Sequence, residues 1–190
     1  MALVLLRPRV LAMSLPDNTA DYEDDFDPFD PEETQAPEVL AWNLLLLINP
    51  GDEDSALRQF ELLRERLAGG ADAPLPWLLR DIVDWTAGFF VAPDDTQGLT
   101  EAIDELAARF GLTIDWGGDR DDEGFMDDHD VPSLLSLAHH RLREHGYTLW
   151  CWNADSEGYG GWMALRRDDD GMRALAQVLQ FELRPASEAG

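Results

Sequence analysis

The sequence predicts an α+β fold: N-terminal helices followed by a mixed β-sheet of about four to five strands, one pair of them a hairpin, with helices packed on it. Three observations carry this reading. Apolar residues recur at helical spacing between about residues 38 and 85. Short apolar, aromatic-rich runs then alternate with amphipathic helical patterns. Gly, Pro or Asn marks the main changes of pattern. After the first helices the order reads β-α-β-α-β-β-α-β, with no internal repeat.

Pro37 suits a first helical position, and Glu38 to Ile48 reads as a mostly buried helix. Asn49-Pro50-Gly51 ends it. Leu57, Phe60, Leu63 and Leu67 then share one face of a helix from about Glu53 to Ala68, which Gly69 closes. A third helix, Pro76 to Trp85, turns Leu78, Leu79, Ile82 and Val83 inward. Phe89-Phe90-Val91 is a short strand. Thr96 caps a helix to Phe110, striped by Leu99, Ile103, Leu106 and Phe110. Leu112 to Trp116 is a second strand, followed by the acidic loop Gly117 to Asp130. Asp130 caps the next helix, with Pro132 in its first turn and Gly146 at its end. Tyr147–Trp152 and Trp162–Leu165 form the hairpin, joined by Asn153 to Gly161. Asp168 caps a last helix from about Gly171 to Gln180, and Phe181 to Leu183 is a final strand.

These elements give one domain over residues 37–184, with frayed residues 185–190 behind it. Residues 1–36 read as a disordered acidic tail. Asp21 to Glu33 carries eight carboxylates, two prolines and no base, with Tyr22, Phe26 and Phe29 interleaved. Met1 to Met13 makes a poor signal peptide, because Arg7, Pro8 and Arg9 split its apolar run. Met13 is an alternative start.

The charge is extreme. There are 39 acids against 14 bases, every base is Arg, and the net charge is −25. Such a chain repels phosphates and anionic membranes, so neither nucleic acid nor membrane is an expected partner. A basic protein or a cation is. The longest apolar stretches are too short to span a bilayer. The lone Cys151 excludes an internal disulfide and fits a reducing compartment, so the expected location is cytoplasmic. Its apolar setting in Tyr147 to Trp152 reads as a buried strand rather than a nucleophile's surroundings.

The loop Asp119 to Asp130 comes nearest to a chemical site. Set against a twelve-residue calcium loop, it places Asp119, Asp121 and Glu123 at positions one, three and five, and Gly124 at six. Asp127 falls at nine and Asp130 at twelve. Calcium wants six to eight oxygens, and glycine permits the sharp turn. Glu at five, Asp at twelve and a strand leading in depart from the pattern. Two readings stay open: a Ca2+ site formed by these five carboxylates, or a solvated acidic loop. Asn153 to Gly158 repeats the first half of the pattern, yet its twelfth position is Ala164 in an apolar strand, so it is a hairpin turn.

His139 and His140 are neighbours on a helix and His145 ends it, which is not the spacing of a zinc site. His129 stands apart from them. Phosphate-binding glycine loops and nucleophile elbows are missing from the sequence, so a non-enzymatic role is expected. Trp116, Trp150, Trp152 and Trp162 stand in or beside strands. Trp150 and Trp152 share one face and Leu149 and Cys151 the other. That aromatic face is either core beneath helices or a half-exposed surface for something flat or cationic.

Four stretches resemble a bacterial family of acidic proteins without an assigned function. They are Ile48 to Ala56 (INPGDEDSA), Leu112 to Gly117 (LTIDWG), Asp130 to Leu135 (DVPSLL) and His145 to Trp150 (HGYTLW). The resemblance covers about residues 37 to 184 and implies a domain, with no catalytic residues. The expected function is therefore a protein-binding or inhibitory protein, of the kind that neutralises a toxin. Its contact surfaces would be the acidic loop and tail. The alternative is a metal-dependent protein, enzyme or calcium-tuned module, using the five loop carboxylates.

Overall fold

A computed structural model describes residues 37–70, 75–84, 86–119, 124–125, 128–154 and 157–189. The acidic tail over 1–36 lies outside them. The described elements make an α+β fold. They are α1 (Pro37–Ile48), α2 (Glu53–Ala68), α3 (Leu75–Ile82), β1 (Gly88–Val91) and α4 (Thr96–Ala108). They continue with α5 (Val131–Glu144), β2 (Tyr147–Asn153), β3 (Tyr159–Leu165), α6 (Asp169–Val178) and β4 (Arg184–Pro185). Short 3-10 turns span Arg166–Asp168 and Ala186–Glu188.

Helix starts are written in aspartates. Asp52 accepts from Ser55 N–H at 3.0 Å and starts α2. Asp95, one residue before the expected Thr96, accepts from Gly98 N–H at 2.8 Å and starts α4. Asp130 and Ser133 form a reciprocal capping box at α5. Asp168 stands at the start of α6 without a side-chain bond to the helix.

The sheet runs β1-β3-β2-β4, with every pair antiparallel. The expected mixed sheet is thus corrected. β1 and β2 run the same way, but β3 is inserted between them, so no parallel pair arises. The expected strand over 112–116 does not form, but the segment alternates in burial, with Ile114 and Trp116 inside and Thr113 and Asp115 out. It lies against the α4–α5 layer and not in the sheet. Period two sets which side chains face inward; it does not supply a ladder partner. The last strand falls at Arg184–Pro185 rather than 181–183, pairing Pro185 with Trp150 and Arg184 with Cys151. The chain beyond it is not frayed through residue 189: Ala186 and Ala189 are buried in the α4–α5 core. Two small side chains suffice to dock a turn onto a helix, a signal that a Ser/Glu/Ala/Gly sequence hides.

Helices cover both faces. Leu149, Cys151 and Met163 join Leu99, Ile103, Leu134, Leu135 and Ala138 beneath α4 and α5. Trp150, Trp152 and Trp162 join α1, α2, α3, Met172 and Phe181 on the other side. There the rings of Trp152, Trp162 and Phe181 stand 5.1 to 5.7 Å apart. Gly160 and Gly161 on β3 make room for this. A Cβ at 160 would lie 2.1 Å from the Trp152 ring, and one at 161 would lie 2.3 Å from the Trp150 carbonyl oxygen. The Gly-rich run is a packing device.

Two polar clusters brace the layers. Arg109, just past α4, donates to Asp52 Oδ2 at 2.8 Å, Asn49 Oδ1 at 3.1 Å and the Thr86 carbonyl at 3.0 Å. The buried Asn49 amide donates in turn to the Leu45 carbonyl and to Gln59. Arg143 donates to Thr148 Oγ1 at 2.6 Å and Asp169 at 2.5 Å, and the Thr148 hydroxyl donates to Asp169 at 2.6 Å. This second cluster ties α5 to β2 and to the first turn of α6, where the helix dipole favours a carboxylate.

Beside it, His139 Nδ1–H donates to the Leu149 carbonyl at 3.1 Å. Burial holds this imidazole below its ordinary value of 6.5, and the Arg143 charge pushes the same way against that hydrogen bond. The unfolded chain therefore takes up the proton first. Stability from neutral His139 is present above pH 6.5 and is lost as pH falls toward the lowered folded value. Urea midpoints should fall between about pH 7.5 and 5. His139→Gln keeps a donor for Leu149 and should flatten that decline; equal slopes would show that His139 is not its source.

Candidate functional site

Residues 92–130 hold thirteen carboxylates and two arginines. α4 supplies the rigid part of this surface. Its apolar stripe (Leu99, Ile103, Leu106) is buried, which turns Glu101 and Glu105 outward. Gln97 donates to Glu101 at 3.0 Å. Asp94 and Asp95 are exposed at the start of the helix. The segment 112–119 is fixed alongside, because Trp116 Nε1–H donates to Asp104 Oδ1 at 3.1 Å. Asp115 and Asp119 on that segment are exposed. Arg109 does not offset this charge at the surface: its side chain is 17% exposed and bound to Asp52. Arg141 touches Asp115 at 3.5 Å and Glu144 at 3.9 Å, exposed pairs of small energetic worth. The result is a ridge of fixed, solvated carboxylates with a negative field around it.

The five expected calcium ligands are divided. Asp119 is exposed on this ridge. Asp130 is engaged in the α5 cap, and its hydrogen bonds from Ser133 hold its carboxyl below the usual carboxylate range. Asp121, Glu123 and Asp127 lie outside the described residues. Among the described residues no three His, Cys, Asp or Glu side chains gather as a metal would need.

The other candidates resolve simply. Cys151 is buried, and burial pushes its thiol up to about 11, so it is not poised as a nucleophile. His139 braces β2. His140 is exposed and bonds the Ser136 carbonyl, and His129 bonds the Phe125 carbonyl. His145 closes α5. The aromatic face is core: Trp150 and Trp162 are fully buried and Trp152 is 7% exposed. A half-exposed aromatic platform is thereby overturned. Neither polar cluster is legible as such in the sequence. Asn49-Pro50-Gly51-Asp52 reads only as a helix stop, and Arg109 and Asp169 are far from their partners along the chain.

Among the described residues no helix is long and apolar enough to cross a membrane. Residues 40–186 match a protein family described only as a domain of unknown function, DUF6630. No curated protein and no solved structure matches the chain.

Proposed function

This chain belongs to the DUF6630 family, a domain of unknown function, and we propose that it is a cytoplasmic protein-binding or inhibitory protein, acting on a basic partner as immunity proteins act on toxins. The observation that carries this reading is the α4 ridge: Glu101 and Glu105 face solvent, Asp94 and Asp95 are exposed at the helix start, and Asp115 and Asp119 are exposed on the segment that Trp116 ties to Asp104. Carboxylates held on a helix and on a braced segment lose little freedom on binding, so less is spent on ordering them. A basic active site, such as one built to hold phosphates, meets the complementary field and is approached faster for it. The chain's single, buried thiol accords with a reducing compartment.

The test is capture from a lysate of the source cell at low and high salt, with wild type and Glu101→Arg/Glu105→Arg compared. Both residues are exposed, so stability should change by no more than about 0.5 kcal/mol per site. Wild type should retain a basic protein that elutes as salt rises, and the reversed variant should not retain it. Equal retention by both would remove α4 from the contact surface.

A further inference from the structure

β1 is an edge strand, and its outer side is lined by a cavity of about 340 Å³. The cavity follows all of Gly88 to Val91, between Arg80 and Val83 at the end of α3 and Gly98 and Ala102 on α4. Two contacts fix which backbone groups face it. The Gly88 N–H bonds the Asp84 carbonyl, away from β3. The Val91 carbonyl faces β3, lying 1.9 Å from where a Gly158 Cβ would sit. In an antiparallel pair, alternate residues point their N–H and C=O to opposite edges. Phe89 and Val91 therefore face β3, while the Gly88 carbonyl and both the N–H and the carbonyl of Phe90 face the cavity. Free ladder groups in a slot between two helical layers can take another strand.

The charges around the slot select the strand. Asp84 stands at one end of β1 and Asp94 and Asp95 at the other, all exposed. The slot's own cation is already engaged: Arg80 stacks on Trp77 and Phe90, 4.7 and 5.2 Å from the ring centres, and pairs with Asp81 and Glu157. Opposite, Ala102 lines the slot, and the Asp95 carboxylate covers Gly98, 2.2 Å from where a Cβ would sit, which adds negative charge at that end. We propose that the outer edge of β1 binds an extended segment of the partner protein, with apolar residues in alternate positions and Lys or Arg at its ends. This rests on the reading of the chain as a binder of a basic protein and names where part of that partner sits.

An unbiased library of displayed twelve-residue peptides, selected on the full chain, tests it. Enriched peptides should be basic with alternating apolar positions. Phe90→Pro removes the outward N–H at an edge position and should weaken their binding at least tenfold. Phe90→Leu keeps the N–H and should bind within about threefold of wild type. Amide exchange on unaltered protein checks the same point without any fold risk: bound peptide should protect the Phe90 amide and leave those of Phe89 and Val91 as they were. Basic peptides that bind equally to Phe90→Pro, or leave the Phe90 amide unprotected, would overturn the slot while sparing the broader reading. Enrichment of no basic sequence would overturn both. A wild-type dimer that Phe90→Pro converts to monomer would assign the edge to a second copy of this chain and so overturn the proposal.

Discussion

Trp150→Ala should cost roughly 3–5 kcal/mol of folding stability, the upper end of what removing one buried side chain does. Trp150 is fully buried at the centre of β2, paired with Trp162 on one side and Pro185 on the other. It belongs to the cluster of α1, α2, α3 and Met172, and Arg173 of α6 lies 5.4 Å from its ring centre. Truncation would leave a large void where two layers meet, and neighbours locked into the sheet cannot collapse into it. Against a typical stability of about 5–15 kcal/mol, this should lower the melting temperature by on the order of 10 °C. Trp150→Phe separates packing from hydrogen bonding. The indole N–H has no acceptor among the described residues, so Phe forfeits volume but no bond and should cost well under half as much. Similar melting of Trp150→Ala and wild type would mean that the two-faced core is misdrawn.

The second large effect is expected from Arg109→Met. Met keeps an unbranched apolar stem beside Phe110 and removes all the donors. Asn49 Oδ1 is then buried without its arginine, the Thr86 carbonyl loses its bond, and Asp52 loses its cation. Breaking a buried polar network of this kind costs about 3–5 kcal/mol when fully enclosed. Asp52 is 40% exposed, so solvent screening brings the expected loss down to about 2–3 kcal/mol. A urea titration would read it, and a loss under about 0.5 kcal/mol would show that the cluster is decoration. The acid limb should survive the change. Asp52 is held below the usual carboxylate range first by its bonds from Ser55 and only then by Arg109. Its contribution is present above the ordinary carboxylate value of 3.8 and is lost as pH falls through the lower folded value, with or without the arginine.

Periodicity and punctuation make most of the fold legible. The buried stripes of α2 and α4, the Asp130 start of α5, the Gly146 stop and the β2–β3 hairpin all follow from local rules that tertiary packing respects. The opposite faces of Trp150/Trp152 and Leu149/Cys151 are legible too, because strand period two is strict. Pairing is not. Residues 112–116 have the alternation of a strand and the burial to match, yet they find a helix seam instead of a ladder. The antiparallel order β1-β3-β2-β4 depends on a partner choice that no single segment encodes. Residues 184–189 escape for the reverse reason: two alanines and a proline dock by fitting, with almost no apolar signature. At the candidate site, local charge density points to the right stretch of chain. It does not reveal that α4 supplies the rigid ridge, that Asp130 serves a helix cap, or that Trp116 fastens the segment to Asp104.

The measurement that bears most directly on the acidic ridge is the association rate of the captured partner as ionic strength rises from about 20 to 300 mM, over which the Debye length falls from roughly 20 to 6 Å. If the ridge steers a basic partner, the on-rate should drop at least tenfold across that range while the off-rate changes little, and Glu101→Arg/Glu105→Arg should start low and barely respond to salt. An on-rate indifferent to salt in wild type, or one equally steep in the reversed variant, would contradict the ridge as the surface by which this protein finds its partner.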